Sequence, residues 1–265
     1  MRIIEVIKRS GEREEFDPRK TISAIVRSGV AQDEAQKIVR DLEPLLYDGI
    51  TTEEIYRQVR QMIKGPSAAH YSLKKALFRL GPDGENFESY IARLFQAEGY
   101  STKTRQILNG KCVKHEVDVL MAREQEKVMV ECKFHNDLGL KCNIQIALYV
   151  YARFLDLRDT EKIDRPILVT NTRLSLDAQH YAECVGMDVL GWKTPRVNGL
   201  ESLVNKHRLF PLTMLEMHHR DQATLLENHF ILVKDVLSRS NEVKLLLSKE
   251  SADDVISQAM TLMST

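Results

Sequence analysis

In the stretch VMVECKFH, residues 128–135, apolar side chains recur at every second position. Val128, Val130, Cys132 and Phe134 share one face of a strand, and Glu131 and Lys133 stand together on the other. Such a strand packs one face against a layer and leaves a carboxylate beside an ammonium on the opposite face. The preceding segment KHEVDVLM follows the same rule, with Val117 and Val119 on one side and Glu116, Asp118 and Leu120 on the other. If the two strands pair, Asp118 stands beside Glu131.

Around these strands the chain alternates between helical and extended periodicity. ENFESYIARLFQAEGY puts Phe87, Tyr90, Ile91, Leu94 and Phe95 on one helical face and ends at Gly99. Strands are expected at 102–108, 113–121 and 127–134, then a helix over 143–158, the strand RPILVTN, a helix from Ser175 to Gly186 and the short strand MDVLGW. That order describes an α/β fold, a mixed sheet flanked by helices. Upstream, two short strands precede four helices. Asp17 caps the first with Pro18 at its opening position, the second runs from Asp33 to Leu46, Thr51 and Glu54 have capping-box spacing, and SAAHYSLKKALFRL forms the fourth. The turn GPDG at 81–84 divides the chain, giving domains over 1–82 and 83–196 and a helical extension over 197–265.

Composition narrows the partners. Lys+Arg and Asp+Glu both number 38, so a nucleic acid must be met by a local patch. TKTRQILNGKCVK supplies one, with Lys103, Arg105, Lys111 and Lys114 and no acid; on its own it also reads as a solvated hairpin. The four cysteines form no CxxC pair, and His115 and His135, beside the two strands, lack ligand spacing and are expected as surface or phosphate contacts. No apolar run of 18 residues occurs, so a cytoplasmic protein without membrane contact is expected.

Asp118, Glu131 and Lys133 give the spacing D-x12-E-x-K. Alone it is also the spacing of a plain cross-strand ion pair. Two hard carboxylates on adjacent strands suit Mg²⁺, and a lysine one pleat away can orient water and steady a phosphoryl oxygen, which is the equipment of metal-assisted phosphodiester hydrolysis. With the helix GENFESYIARLFQAEGY, the strands HEVDVL and VECKF and a helix near Gln145, residues 84–193 resemble the Mrr-like branch of the PD-(D/E)xK restriction-endonuclease fold. The resemblance implies a Mg²⁺- or Mn²⁺-dependent endodeoxyribonuclease with Asp118, Glu131 and Lys133 as its catalytic set and Glu88 as a further acid near the metal. Gln145 and Tyr149 are similar to the Q-x3-Y helix motif of RecB-type nucleases, which implies contact with the substrate strand; both residues also read as packing residues.

The first module, with VIKRSGEREEFD, Lys20 and LYDGITTEEI, resembles the ATP-cone of ribonucleotide reductases. That implies ATP or dATP as a regulatory ligand, with Lys8 and Arg9 on the phosphates, Glu14 and Lys20 lining the pocket and Thr52 touching the nucleotide. The helix start at Thr51 and Thr52 adds free backbone donors. DNA and an adenine nucleotide are the expected partners, and cutting both strands with one site per chain favours a homo-oligomer of two or more copies. The alternative is a nucleotide-responsive DNA-binding regulator whose nuclease fold does not cut.

Overall fold

The structure, a computed structural model, describes residues 4–81, 84–137 and 139–264. The first module pairs β1 (Glu5–Ile7) with β2 (Arg13–Glu15) antiparallel and with β3 (Ile50–Thr51) parallel. Helix α1 (Pro18–Arg27) starts at Asp17, whose carboxylate accepts the Arg19 N–H at 3.0 Å. Helix α2 (Gln32–Leu42) stops short of the expected Leu46 and tightens into a 3₁₀ turn over Glu43–Leu45, because Pro44 cannot donate to a continuing ladder. The expected capping box opens α3 (Thr52–Met62): Thr51 Oγ1 accepts the Glu54 N–H at 3.1 Å, and a Glu54 carboxylate oxygen accepts the Thr51 N–H at 3.0 Å.

The fourth helix is two pieces, α4 (Pro66–Tyr71) and α5 (Leu73–Phe78), broken at Ser72. The Ser72 hydroxyl accepts from Tyr56 Oη at 2.8 Å and Arg60 Nε at 3.0 Å and donates to the Ala68 carbonyl at 3.1 Å. This break has a packing consequence. Val6, Ile25, Leu42, Ile50 and Val59 form a core of the first module, whereas Leu73, Ala76, Leu77 and Leu80 pack into the core that follows. The hydrophobic cores therefore part at Ser72, and α5 is a strut between them. The turn expected to divide the chain falls on Pro82 and Asp83, which lie outside the described residues.

The second core is built on a five-stranded sheet of order β10-β8-β6-β5-β4. Its strands are β4 (Ser101–Asn109), β5 (Lys114–Arg123), β6 (Glu126–Lys133), β8 (Arg165–Thr170) and β10 (Asp188–Leu190). β4, β5 and β6 run antiparallel, and β6, β8 and β10 parallel, so the sheet is mixed. Helix α6 (Glu85–Ala97) covers one face with Phe87, Tyr90, Ile91 and Leu94. Helices α7 (Ile144–Glu161) and α8 (Leu176–Val185) cover the other. A small parallel pair, β7 (Lys141–Cys142) and β9 (Arg173–Leu174), lies beside the sheet.

The remaining helices are α9 (Leu200–His207), α10 (His219–Glu227), α11 (Val233–Ser238), α12 (Ser240–Leu246) and α13 (Lys249–Met263). Leu200, Val204, Phe230, Val236, Val255 and Ala259 join the same core as α6, so this extension packs onto the sheet domain. Asp235, 5% exposed, fastens it by accepting the Ile231 and Leu232 N–H groups at 3.1 and 2.9 Å and pairing with Arg93 of α6 at 2.8 Å. Among the described residues no helix is long and apolar enough to cross a membrane. Replacing Asp235 with Ala strands two buried donors and a cation, and is expected to cost about 3 kcal/mol and lower the melting temperature by roughly 6–12 °C in a thermal denaturation series.

Candidate active site

The β5–β6 ladder pairs Leu120 with Met129 and Val119 with Val130, which places Asp118 opposite Glu131 at the next position. There the strands separate, and Asp118 Oδ2 accepts the Cys132 N–H at 2.7 Å in place of a ladder bond. The strand also changes sides. Val119 and Met121 pack under α6, but Val117 packs with Met129 and Leu168 under α7, so Val117 and Val119 do not share the one face expected of strict alternation. On β4, Thr104 pairs with Val119 and Gln106 with Val117, leaving Arg105 across from Asp118 at a left-handed φ of 52°.

Glu131 points toward α7, where Arg153, 8% exposed, pairs with its carboxylate and donates to the Glu116 carbonyl. One buried guanidinium thus ties both site strands to one helix. Burial and the Asp118 charge push the Glu131 carboxyl up to about 7, against the opposing pull of Arg153 and Lys133. Burial likewise raises Asp118, opposed by the Cys132 N–H and by Arg153. Lys133 follows one pleat beyond Glu131, its backbone paired with Thr170, and among the described residues no acid forms an ion pair with its ammonium.

Two buried carboxyls whose affinity for protons is raised, Glu131 by burial and the Asp118 charge and Asp118 by burial, suit a hard divalent cation, which would offset the same cost. Asp118 and Glu131 supply that chemistry. Glu88, expected as a third acid, is held 3.4 Å from Arg105, which also pairs with Glu85. Among the described residues no group of three His, Cys, Asp or Glu side chains is close enough to hold a metal ion by itself. Backbone carbonyls, waters and substrate oxygens are the further ligands such a cation accepts.

Along α7, Gln145, Tyr149 and Arg153 succeed one another at steps of four and share one side of the helix. Gln145 is exposed, Tyr149 is 58% exposed, and the Arg153 guanidinium lies 5.4 Å from the Tyr149 ring centre. Arg153 was not anticipated, although the i+4 continuation of the Gln145–Tyr149 pair pointed to it. The basic stretch does not form one patch: Lys103 lies near the start of β4, Lys111 follows its far end and Lys114 pairs with Asn109 at that end, about 20 Å away, and Arg105 is engaged by acids. His115, expected at the surface, instead pairs with Asp156 of α7 at 2.8 Å. Asp156 also accepts the Cys112 and Val113 N–H groups at 2.8 and 3.2 Å, clamping the hairpin to the helix.

In the first module Lys8 Nζ lies 2.8 Å from Glu14 and 3.3 Å from Glu12, and Lys20 Nζ 3.2 Å from Glu14. Lys8, Arg9, Glu14 and Thr52 line one cleft of about 1890 Å³, and Lys20 reaches it through Glu14. Arg9 crosses to the second domain, its Nε 3.5 Å from Asp137.

This two-part architecture matches two family descriptions in chain order, the ATP cone domain over residues 4–79 and restriction endonuclease over residues 81–190. An uncharacterized protein of Archaeoglobus fulgidus is 37% identical over 171 residues, 64% of this chain and 97% of that protein. The crystal structure of a protein of unknown function, AF1548, is 34% identical and superposes with a TM-score of 0.61 over 68% of this chain and 98% of that one. A crystal structure of the MspJI restriction endonuclease with a 27-mer oligonucleotide is a remote likeness at 16% identity and a TM-score of 0.37, covering 86% of this chain and 48% of that one. The chain belongs to the family of its archaeal relative and joins an ATP cone domain to a restriction endonuclease-like domain.

The raised carboxyls have a consequence for stability. A carboxyl whose folded pKa lies above its unfolded value, near 4.5, keeps its proton in the folded state after the unfolded state has lost it, so stability is greatest below that range and declines as pH rises toward 7. In chelator, the melting temperature is expected to fall between about pH 5 and 8, a loss on the order of 2 kcal/mol. Asp118→Asn is expected to flatten that decline and to melt above wild type at pH 8 in the same thermal series.

Proposed function

We propose that the chain is a divalent-metal-dependent endodeoxyribonuclease whose cutting of DNA is governed by ATP or dATP at its amino-terminal module. The observation that carries this reading is the meeting of Asp118 and Glu131 where β5 and β6 part, with Lys133 one pleat beyond, inside a restriction endonuclease-like domain. Asp118 and Glu131 would hold Mg²⁺ or Mn²⁺, with Glu88 nearby as an additional acid once released by Arg105. The ion supplies, when bound, Lewis-acid stabilisation of phosphoryl charge and a more acidic water.

The chain's own residues do the rest. Arg153 fixes Glu131, and Lys133 orients the attacking water and faces the charge that develops on the phosphoryl oxygen. Gln145 and Tyr149, on the open side of α7, meet the substrate strand. Lys103, Lys111 and Lys114 act as separate phosphate contacts, joined by Arg105 if DNA displaces its acids. Lys8, Arg9, Glu14, Lys20 and Thr52 form the adenine-nucleotide pocket. A second copy of the chain would supply the cut on the other strand, and foreign DNA is the substrate proposed.

One observation favours a second reading, a nucleotide-responsive DNA-binding regulator that does not cut: Arg153 already neutralises Glu131 in the way a metal would. Plasmid cleavage separates the two. With Mg²⁺ or Mn²⁺ and ATP, wild type is expected to nick or linearise plasmid, and Asp118→Ala and Lys133→Ala to lower the rate at least about a thousandfold with DNA affinity within a few-fold of wild type. Wild type that binds DNA and leaves it intact under every nucleotide and metal condition would establish the regulator.

A further inference from the structure

The cleft that takes in Lys8 and Thr52 continues to the second domain, where Arg173 and Lys193 form a wall facing Arg27 and Lys74 of the first. Two of these cations flank one acid, Glu201, which lines the same cleft. Arg27 Nε is 3.4 Å and Lys193 Nζ 3.9 Å from the Glu201 carboxylate, and Lys74 is placed to feel the charges of Arg173, Lys193 and Glu201. Four positive charges against one negative leave an excess of three. Lys74 has the Phe78 ring 5.8 Å away, and among the described residues no carboxylate pairs with it. A like-charge cluster of this kind, drawn from two domains, is held at a cost that an entering anion removes.

We propose that Arg27, Lys74, Arg173 and Lys193 form one anion site shared between the two domains, which takes the phosphate groups of a nucleotide polyphosphate. The site rests on the nucleotide-control reading, since the same cleft is lined by the Lys8 hairpin and by the start of α3. Supporting electrostatics agree: burial, then Arg173 and Lys193, press the Lys74 ammonium down to about 8, and burial and Arg27 lower Lys193. An anion would reverse both.

The wall on the nuclease side is wired to the active strand. Arg173 lies two residues beyond Asn171, which is fully buried and grips the His135 backbone at both its N–H and its carbonyl, 2.9 and 2.8 Å. Lys193 follows Trp192, whose N–H donates to the Thr172 carbonyl at 2.8 Å. His135 stands two residues beyond Lys133 on the same chain segment. Phosphate drawn to Arg173 and Lys193 therefore acts on the loop that holds the end of the Glu131–Lys133 strand, giving nucleotide a direct route to the site within one chain.

Calorimetric titration of the full chain with ATP and, separately, with inorganic tripolyphosphate tests this in wild type, Arg173→Ala, Lys193→Ala and Lys193→Arg. Both alanine changes are at exposed positions, and each is expected to weaken both ligands at least tenfold while Lys193→Arg retains them. Wild-type ATP affinity in both alanine variants would overturn the shared site and leave the nucleotide-control reading standing. Wild type that takes tripolyphosphate but not ATP would support the cationic site and remove the nucleotide as its ligand, and wild type that binds neither would overturn both readings. Weakened binding of a duplex oligonucleotide with unchanged ATP affinity would overturn the nucleotide assignment in favour of DNA backbone.

Discussion

A single buried guanidinium sets the conditions for everything near the site. Arg153 reaches from α7 to the Glu131 carboxylate and to the Glu116 carbonyl, so it binds the helix to both strands where they cease to pair with each other. Separating two strands leaves backbone groups without ladder partners, and buried groups of that kind are costly. Arg153 satisfies one of them and the Asp118 carboxylate another. The opening between β5 and β6 is thus a built feature, and two acids that would repel each other are kept within it by a cation that cannot lose its charge.

The same economy links the two domains. Helix α5 belongs by sequence to the first module and by packing to the second core. Arg9 meets Asp137 on the loop that follows β6, and Asn171 closes the backbone of that loop against the end of β8. A ligand can shift the site only by binding one arrangement of these contacts better than another. The contacts run through few residues, each with a defined partner, so such a difference has a short path to travel.

Much of this was legible in the chain. Alternation in VMVECKFH located β6 and its two polar residues, capping chemistry at Asp17 and Thr51 located α1 and α3, and glycine at 99 and 186 ended α6 and α8. What escaped had a physical cause in each case. The side change at Asp118 was hidden because Val117 and Val119 keep the alternation intact while a side chain replaces a ladder bond. Ser72 read as helix interior until Tyr56 and Arg60, distant in sequence, drew on its hydroxyl. Arg105 read as part of a basic patch because its partners Glu85 and Glu88 lie on another element, and Arg153 escaped notice because its partners Glu131 and Glu116 lie on other elements too. Tertiary partners of charged residues leave little trace in local pattern.

Under the proposed reading, Asp118 and Glu131 are an acid pair that a divalent cation would hold together. Titration of Mn²⁺ into the metal-free chain near pH 6.5, in two buffers of different ionisation enthalpy, measures it directly. The expected result is saturable binding with release of protons, because Glu131, pushed up to about 7, must surrender its proton to a ligating cation. Asp118→Ala should lose both the binding and the release. Absence of saturable Mn²⁺ binding, or binding without proton release that Asp118→Ala leaves unchanged, would contradict it.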